Sequence, residues 1–374
     1  MKEGRSGKTL PARPTPGGAP GERMLAPSRI LRETPRQIGG GRTRAELVED
    51  ARQSIAKGSK SFAAASRLFD RETRERAWLL YAWCRRCDDI ADGQDHGGTL
   101  RAQAGDPADR IKAIRILTAR ALEGQPTADP AFDALGQVAQ EAALPPAVID
   151  DVIEGFALDA AGWRPRTELD LMRYCYHVAG AVGVLMARVM GVAADDAETL
   201  DRACDMGLAF QLSNISRDVW EDDAAARCYI PVEWLVEADI PPGQHMKPAF
   251  REQLVGLVAQ LVELGESHEA AARQGAARLG WRQRWAVLSA ANIYGAIGRE
   301  VRARGPAAWD HRVHTGTLAK LRHIALALRE TLRPRPAPAA QPPRWDRGKI
   351  LVAVRMAGPI PPNPTTPLPD EDVR

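Results

Sequence analysis

Between residues 43 and 332 nearly every stretch of the chain repeats apolar residues three or four positions apart, the spacing of one face of a helix. RAELVEDARQSIAKGS, ADRIKAIRILTARAL, AFDALGQVAQEAAL, PAVIDDVIEGFALDAAG, REQLVGLVAQLVELGESHEAAARQGAARL and HTGTLAKLRHIALALRETL all follow this rule. Pro and Gly fall between them, as at Pro145-Pro146 and Pro241-Pro242-Gly243, where helices stop and the chain turns. The two-residue alternation of strands is essentially missing. The pattern predicts a single all-α domain over 43–332. Residues 1–42, rich in Pro, Gly and Arg, and the Pro-rich residues 333–374 have no helical period and are expected to be disordered.

Two of the predicted helices carry charge where burial is expected. In YAWCRRCDDIAD, Tyr81, Arg85, Asp88 and Asp92 fall at i, i+4, i+7 and i+11 and so project from one face, while Trp78, Leu79, Leu80, Trp83, Cys84 and Ile90 occupy the others. In FQLSNISRDVWEDD, Gln211, Asn214, Asp218 and Asp222 form a second such stripe beside Arg217, with Arg227 and Tyr229 just beyond. Like charges four apart repel by roughly 0.2–0.5 kcal/mol. A helix C-terminus disfavours anions by about 0.3–1 kcal/mol more. One such stripe is explained by solvation; two in apolar helices favour a cation held between them. Oxygen donors without His or Cys point to Mg²⁺ or Mn²⁺ rather than zinc. Magnesium usually bridges a carboxylate or two to phosphate, and the guanidinium groups of Arg85, Arg217 and Arg227 suit phosphate oxygens. A ligand with a diphosphate head and a long hydrocarbon tail fits both the charge and the apolar surroundings.

Composition narrows the alternatives. Apolar residues make up 44% and charged residues 26% of the 374, ordinary values for a globular protein. A net charge of +3 is too small and mixed to argue for nucleic acid as a partner. Five cysteines, an odd number in apolar segments without a secretory signal, predict free thiols and a cytoplasmic setting. Cys84 and Cys87 form a lone CxxC inside a helical pattern, which reads as two buried hydrophobes. The most apolar window, VAGAVGVLMARVMGVAA from Val178, is short, Gly-rich and broken by Arg188, so no membrane span is expected.

Five stretches, in order, resemble the motif set of the squalene/phytoene synthase family, most strongly its bacterial phytoene synthase branch: SKSFAAASRLF at Ser59, YAWCRRCDDIAD at Tyr81, YCYHVAGAVG at Tyr174, LAFQLSNISRDVWED at Leu208 and RCYIP at Arg227. The likeness covers roughly Arg44 to Leu332. It implies an isoprenoid-synthase helical fold around a central cavity. It also implies head-to-head condensation of two geranylgeranyl diphosphates, through prephytoene diphosphate, to phytoene and two diphosphates in carotenoid biosynthesis. By motif match, Asp88 and Asp92 would hold Mg²⁺ on one side and Asp218, Asp222 and Asn214 on the other, with Gln211 completing the second group. Ser59, Phe62, Tyr81, Arg85, Arg217, Arg227 and Tyr229 would surround the diphosphates, with Tyr294 and Arg312 further along the chain. No NADPH is expected, and no strand-linked GxGxxG is present.

Other readings compete. Dehydrosqualene or squalene synthesis from farnesyl diphosphate shares the first half-reaction. A chain-elongating prenyltransferase would explain DDIAD as DDxxD, but NISRDVWED does not fit it. A non-catalytic relative should have lost carboxylates, and both pairs are intact. Ala179, Gly180 and Gly183 serve either a passing prenyl chain or helix packing. His177 reads as a hydrogen-bonded core histidine. The departures from the family pattern are Ala226, where Gly is frequent, and the bulky Trp220. Apolar substrate and product make peripheral membrane contact an expectation, though no single helix stands out in the sequence as its carrier.

Overall fold

The computed structural model describes residues 37–58, 60–93, 106–333 and 342–357, and among these every regular element is helical. The α-helices run α1 Arg44–Gly58, α2 Lys60–Ala65, α3 Arg71–Asp92, α4 Pro107–Leu122, α5 Pro130–Glu141, α6 Pro146–Ala160 and α7 Glu168–Cys175. They continue as α8 Ala181–Val189, α9 Ala197–Ala224, α10 Val232–Glu237, α11 Arg251–Ala276, α12 Trp281–Arg304, α13 Thr317–Leu332 and α14 Arg347–Met356. The all-α reading holds. Local chemistry sets the boundaries: Asp70 caps α3 by accepting from the Thr73 N–H at 2.9 Å, and Gly93 stops it in the left-handed conformation directly after Asp92.

Helix α3 buries Leu79, Leu80, Trp83 and Cys87 against α1, α5, α4 and α6. Helix α9 is the other axis, with α8, α11 and α12 packed around it. The contact between α8 and α9 depends on missing side chains. A Cβ on Gly207 would stand 2.2 Å from the Ala179 carbonyl oxygen, and one on Gly183 would stand 2.3 Å from that of Ala203. Gly180 likewise faces Cys204 and Leu208. For Gly180 and Gly183 the helix-packing alternative is therefore the correct one. Between α7 and α8 the helix widens into one π turn, Tyr176–Gly180. There the Tyr176 hydroxyl donates to Asp151 at 2.5 Å and His177 Nδ1 meets the Asp151 carbonyl oxygen at 2.9 Å. His177 is buried, and burial lowers its pKa, so it is a neutral core residue.

All five cysteines are free thiols. Burial pushes the Cys84 thiol up to about 12 and Cys87 well above the usual range, so the CxxC pair is inert packing. Among the described residues no helix is long and apolar enough to cross a membrane.

The sequence reading needs correction at the C-terminal end. Disorder was expected over 333–374, yet Arg347–Met356 form α14, capped by Asp346, with Ile350 fully buried beside α7 and α9. Arg347 pairs with Asp201 at 3.0 Å, and the Trp345 indole N–H donates to Glu168. The prolines around this segment hid a ten-residue helix whose order comes from its dock, not from its own propensity. Of the disorder expected over 1–42, residues 1–36 lie outside the described residues, while residues 37–42 are ordered: Ile38–Gly41 form a 3₁₀ turn, and the Gln37 N–H donates to the Gly124 carbonyl at 2.8 Å. Truncating the buried contact with Ile350→Ala should weaken docking by about 2–4 kcal/mol. Amide exchange over Arg347–Met356 should accelerate while α9 stays protected; unchanged exchange would mean that Ile350 does not anchor the helix.

Candidate active site

The stripe on α3 forms as the spacing requires: Tyr81, Arg85, Asp88 and Asp92 are all half-exposed on one face, while Asp89 between them is buried. Arg85 forks across both kinds of carboxylate, reaching Asp88 at 2.9 Å and Asp89 at 2.8 Å. The second aspartate of DDIAD thus aims an arginine rather than facing a ligand. Phe62 from α2 packs on the Tyr81 ring, centroids 5.6 Å apart. Gly58, at the end of α1, lies so close to the Tyr81 hydroxyl that a Cβ there would stand 2.4 Å away. Ser59 lies outside the described residues.

The stripe on α9 is bent. Asp218 departs from helical geometry (φ −97°, ψ 16°), and two side chains mark the break. The Ser216 hydroxyl donates back to the Leu212 carbonyl at 2.7 Å, and the Trp309 indole N–H donates to the Ser216 carbonyl at 3.1 Å. Trp309 also brings Arg312 to Asp218 at 2.8 Å, where Arg217 already holds the same carboxylate. Tyr294 stacks on Phe210 at 4.2 Å and lies within electrostatic reach of Arg217. Gln211 and Asn214 are half-buried on the same face of α9. Trp220, the bulky departure, points outward.

Helix α9 ends in a reverse turn: the Arg227 N–H bonds the Asp222 carbonyl at 2.7 Å, and the Ala226 N–H that of Asp223 at 2.9 Å. This turn needs a left-handed residue, and Ala226 supplies it with φ 56°. The loop therefore keeps its shape without glycine, at the cost of a crowded Cβ. It delivers Arg227 back toward α3, 3.7 Å from Asp92, and buries Tyr229.

What joins the two stripes is a residue that periodicity did not single out. Asp159, near the end of α6, accepts hydrogen bonds at 2.9 Å from the hydroxyls of both Tyr174 and Tyr229. Those two rings stack at 4.6 Å, with Trp163 against the far side of Tyr174. Burial raises the pKa of Asp159 despite its tyrosine donors. Its charge in turn disfavours ionisation of both Asp88 on α3 and Asp222 on α9. Burial first and the neighbouring Asp92 second push Asp88 up to about 6; burial and Asp218 push Asp222 up to about 7, against the pull of Arg227. Carboxylates from α3, α6 and α9 thus share one electrostatic neighbourhood. Asp159 was legible only as an acidic residue at the tail of an apolar helix, and only the fold pairs it with two tyrosines from two other motifs.

Among the described residues no three His, Cys, Asp or Glu side chains converge so as to hold a metal ion by themselves. Mg²⁺ takes one or two carboxylates and fills its other positions with water and phosphate oxygens. The donor set is all oxygen, carries excess negative charge, and is ringed by Arg85, Arg217, Arg227 and Arg312. It fits a magnesium–diphosphate group. Chemically, such a site can hold a polyanion and stabilise charge as that anion departs.

The squalene/phytoene synthase family model matches residues 55–319. A phytoene synthase of Pseudescherichia vulneris is 43% identical over 305 residues, covering 79% of this chain and 98% of the relative. A 15-cis-phytoene synthase of Pantoea ananas is 42% identical over 306 residues, covering 80% and 98%. Among solved structures, a dehydrosqualene synthase in complex with ligand aligns with a TM-score of 0.66 at 26% identity, over 76% of this chain and 96% of that one. The helical architecture is the isoprenoid-synthase fold of these structures.

Two outcomes test the geometry. Ala226→Gly should relieve the left-handed Cβ and stabilise the protein by about 1 kcal/mol, seen as a higher urea midpoint. Asp159→Ala strands two buried hydroxyls and should cost about 2–4 kcal/mol, whereas Asp159→Asn keeps an acceptor and should cost less than half of that. Equal losses would assign the effect to the charge instead of the acceptor.

Proposed function

The chain belongs to the squalene/phytoene synthase family and has the prenyltransferase activity of a phytoene synthase, and on that footing we propose that its substrate is geranylgeranyl diphosphate. Two molecules are joined head to head through prephytoene diphosphate, giving phytoene and two diphosphates. The observation that carries this reading is the meeting of the two acidic stripes, through Arg227 on Asp92 and through Asp159 beside both.

In this reading Asp88 and Asp92 would hold Mg²⁺ on the α3 side, and Asp218, Asp222 and Asn214 would hold Mg²⁺ on the α9 side, with Gln211 alongside. Mg²⁺, when bound, supplies positive charge against the departing diphosphate. Arg85, Arg217, Arg227 and Arg312 provide the remaining cationic field. The forks that now grip Asp88 and Asp218 match phosphate oxygens equally well, so these arginines can serve carboxylate and diphosphate in turn. Tyr81, Tyr229, Tyr294 and Phe62 line the approach; Ser59, of the same motif as Phe62, lies outside the described residues. The ring faces of these four favour a passing allylic cation and keep water away from it, while Tyr174, stacked between Tyr229 and Trp163, holds Tyr229 in place. Nothing in this chemistry consumes a reductant, in keeping with a reaction that stops at phytoene without NADPH.

The test is direct. Purified protein given geranylgeranyl diphosphate and Mg²⁺ without NADPH should release phytoene, while farnesyl diphosphate should turn over poorly; efficient formation of a C30 product would reverse the substrate assignment. Asp88→Asn and Asp218→Asn should each lower turnover by about 10²–10³-fold or more with melting temperature nearly unchanged. Wild-type rates in either variant would remove that carboxylate from the site.

A further inference from the structure

Helix α13 shows an inverted surface. Its inward side buries Ala327 and Thr331, and its outward side carries Leu318, Leu321 and Leu332, which are 83%, 58% and 67% exposed. A surface helix normally turns such residues toward the core. The outward leucines, with Ala325, share one face; Arg322 and Arg329 run along its edge at the same seven-residue spacing. The one acidic residue of the helix, Glu330, pairs with Arg273 at 3.2 Å. Next to this face Trp285 donates its indole N–H to the Ile324 carbonyl at 2.9 Å, and Trp281, itself 55% exposed, stacks on Trp285 at 6.3 Å. The Arg282 guanidinium lies over the Trp281 ring at 5.3 Å.

We propose that the outward face of α13, extended by Trp281, is the surface by which the protein lies on an anionic lipid bilayer. Exposed leucines edged by arginines, with a tryptophan at the margin, are the composition of a helix that sits in the headgroup region. A second copy of the chain fits the face less well. A two-fold contact sets the same patch against itself, so that Arg322 and Arg329 would meet their own kind. A series of contacts leads from the Trp281 end of this face toward the candidate active site. Arg282 Nε donates to the Leu68 carbonyl at 3.1 Å, and the Ser66–Leu68 turn directly follows α2, whose Phe62 packs on Tyr81. The proposal deepens the reading above, since a prenyl substrate and a hydrocarbon product would then move between bilayer and site along this side without entering water.

Co-sedimentation of the full chain with phosphatidylglycerol vesicles and with phosphatidylcholine vesicles at low salt tests it. Wild type should pellet with the anionic vesicles and far less with the neutral ones. Arg322→Ala with Arg329→Ala should lower partition by about 30-fold. Leu318→Ser, Leu321→Ser and Leu332→Ser together should lower it at least as much. Both variants should keep the wild-type melting curve and turnover on detergent-dispersed substrate, because the altered side chains are exposed. Wild type remaining in the supernatant with both vesicles overturns the proposal, as it would if the chain's own residues covered the face. Variants that pellet like wild type overturn it too. A change from dimer to monomer in the leucine variant with vesicle binding intact assigns the face to a second copy instead. Partition is read without substrate, so failure of the reaction assignment leaves this outcome untouched.

Discussion

Mutual repulsion among carboxylates is the constraint around which this molecule is arranged. Asp88, Asp92, Asp159, Asp218 and Asp222 come from three helices and influence one another through a partly buried medium. Two like charges about 6 Å apart near a protein surface cost about 3 kcal/mol. The fold offsets this with guanidinium groups and keeps the carboxylates where they are. Arg217 and Arg312 converge on Asp218, Arg85 spans Asp88 and Asp89, and Arg227 reaches Asp92 from the end of the opposing helix. The compensation is incomplete at Asp88 and Asp222, whose carboxyls stay harder to ionise than usual through burial first and the negative charge of neighbouring carboxylates second. That residual negative potential is what a divalent cation is drawn to.

Holding such a cluster requires a frame that does not relax. The close contact of α8 with α9 comes from Gly183 and Gly207, where backbone meets backbone without intervening side chains. The π turn before α8 is fastened through Tyr176 and His177 to Asp151 on α6. The same helix ends in Asp159, which binds the tyrosines of two separate motifs. Helix α6 therefore links the packing of the core to the electrostatics of the site. The bend at Asp218 is fixed in the same way, by Ser216 and by Trp309 from a distant loop. A straight α9 would carry Asp218 and Asp222 on one unbroken face; the bend sets their relative direction.

The polar interior and the apolar exterior patch are two responses to one kind of ligand. A molecule with a polyanionic diphosphate head and a hydrocarbon tail asks for charge where a core is usually greasy. It also asks for grease where a surface is usually charged. Aspartates and arginines meet the first need inside, and in the proposed membrane contact the outward leucines of α13 would meet the second outside.

The sequence by itself determined the helices, because three-to-four spacing is a local property that survives any tertiary arrangement. It also determined that Tyr81, Arg85, Asp88 and Asp92 share a face, as do Gln211, Asn214, Asp218 and Asp222, since a helix fixes those angles before it packs. The turn at Ala226 was visible only as a departure from a pattern; its left-handed backbone is set by hydrogen bonds closing α9. Tertiary structure alone decided that the stripes share one neighbourhood, that Asp159 belongs to it, and that Asp89 does not face the ligand side. Each is a matter of distance between segments far apart in the chain, and no local period encodes it. The order of α14 and the outward turn of the α13 leucines were hidden for the same reason. Apolar spacing reveals that a helix has a face, but only the neighbouring helices decide which way that face points.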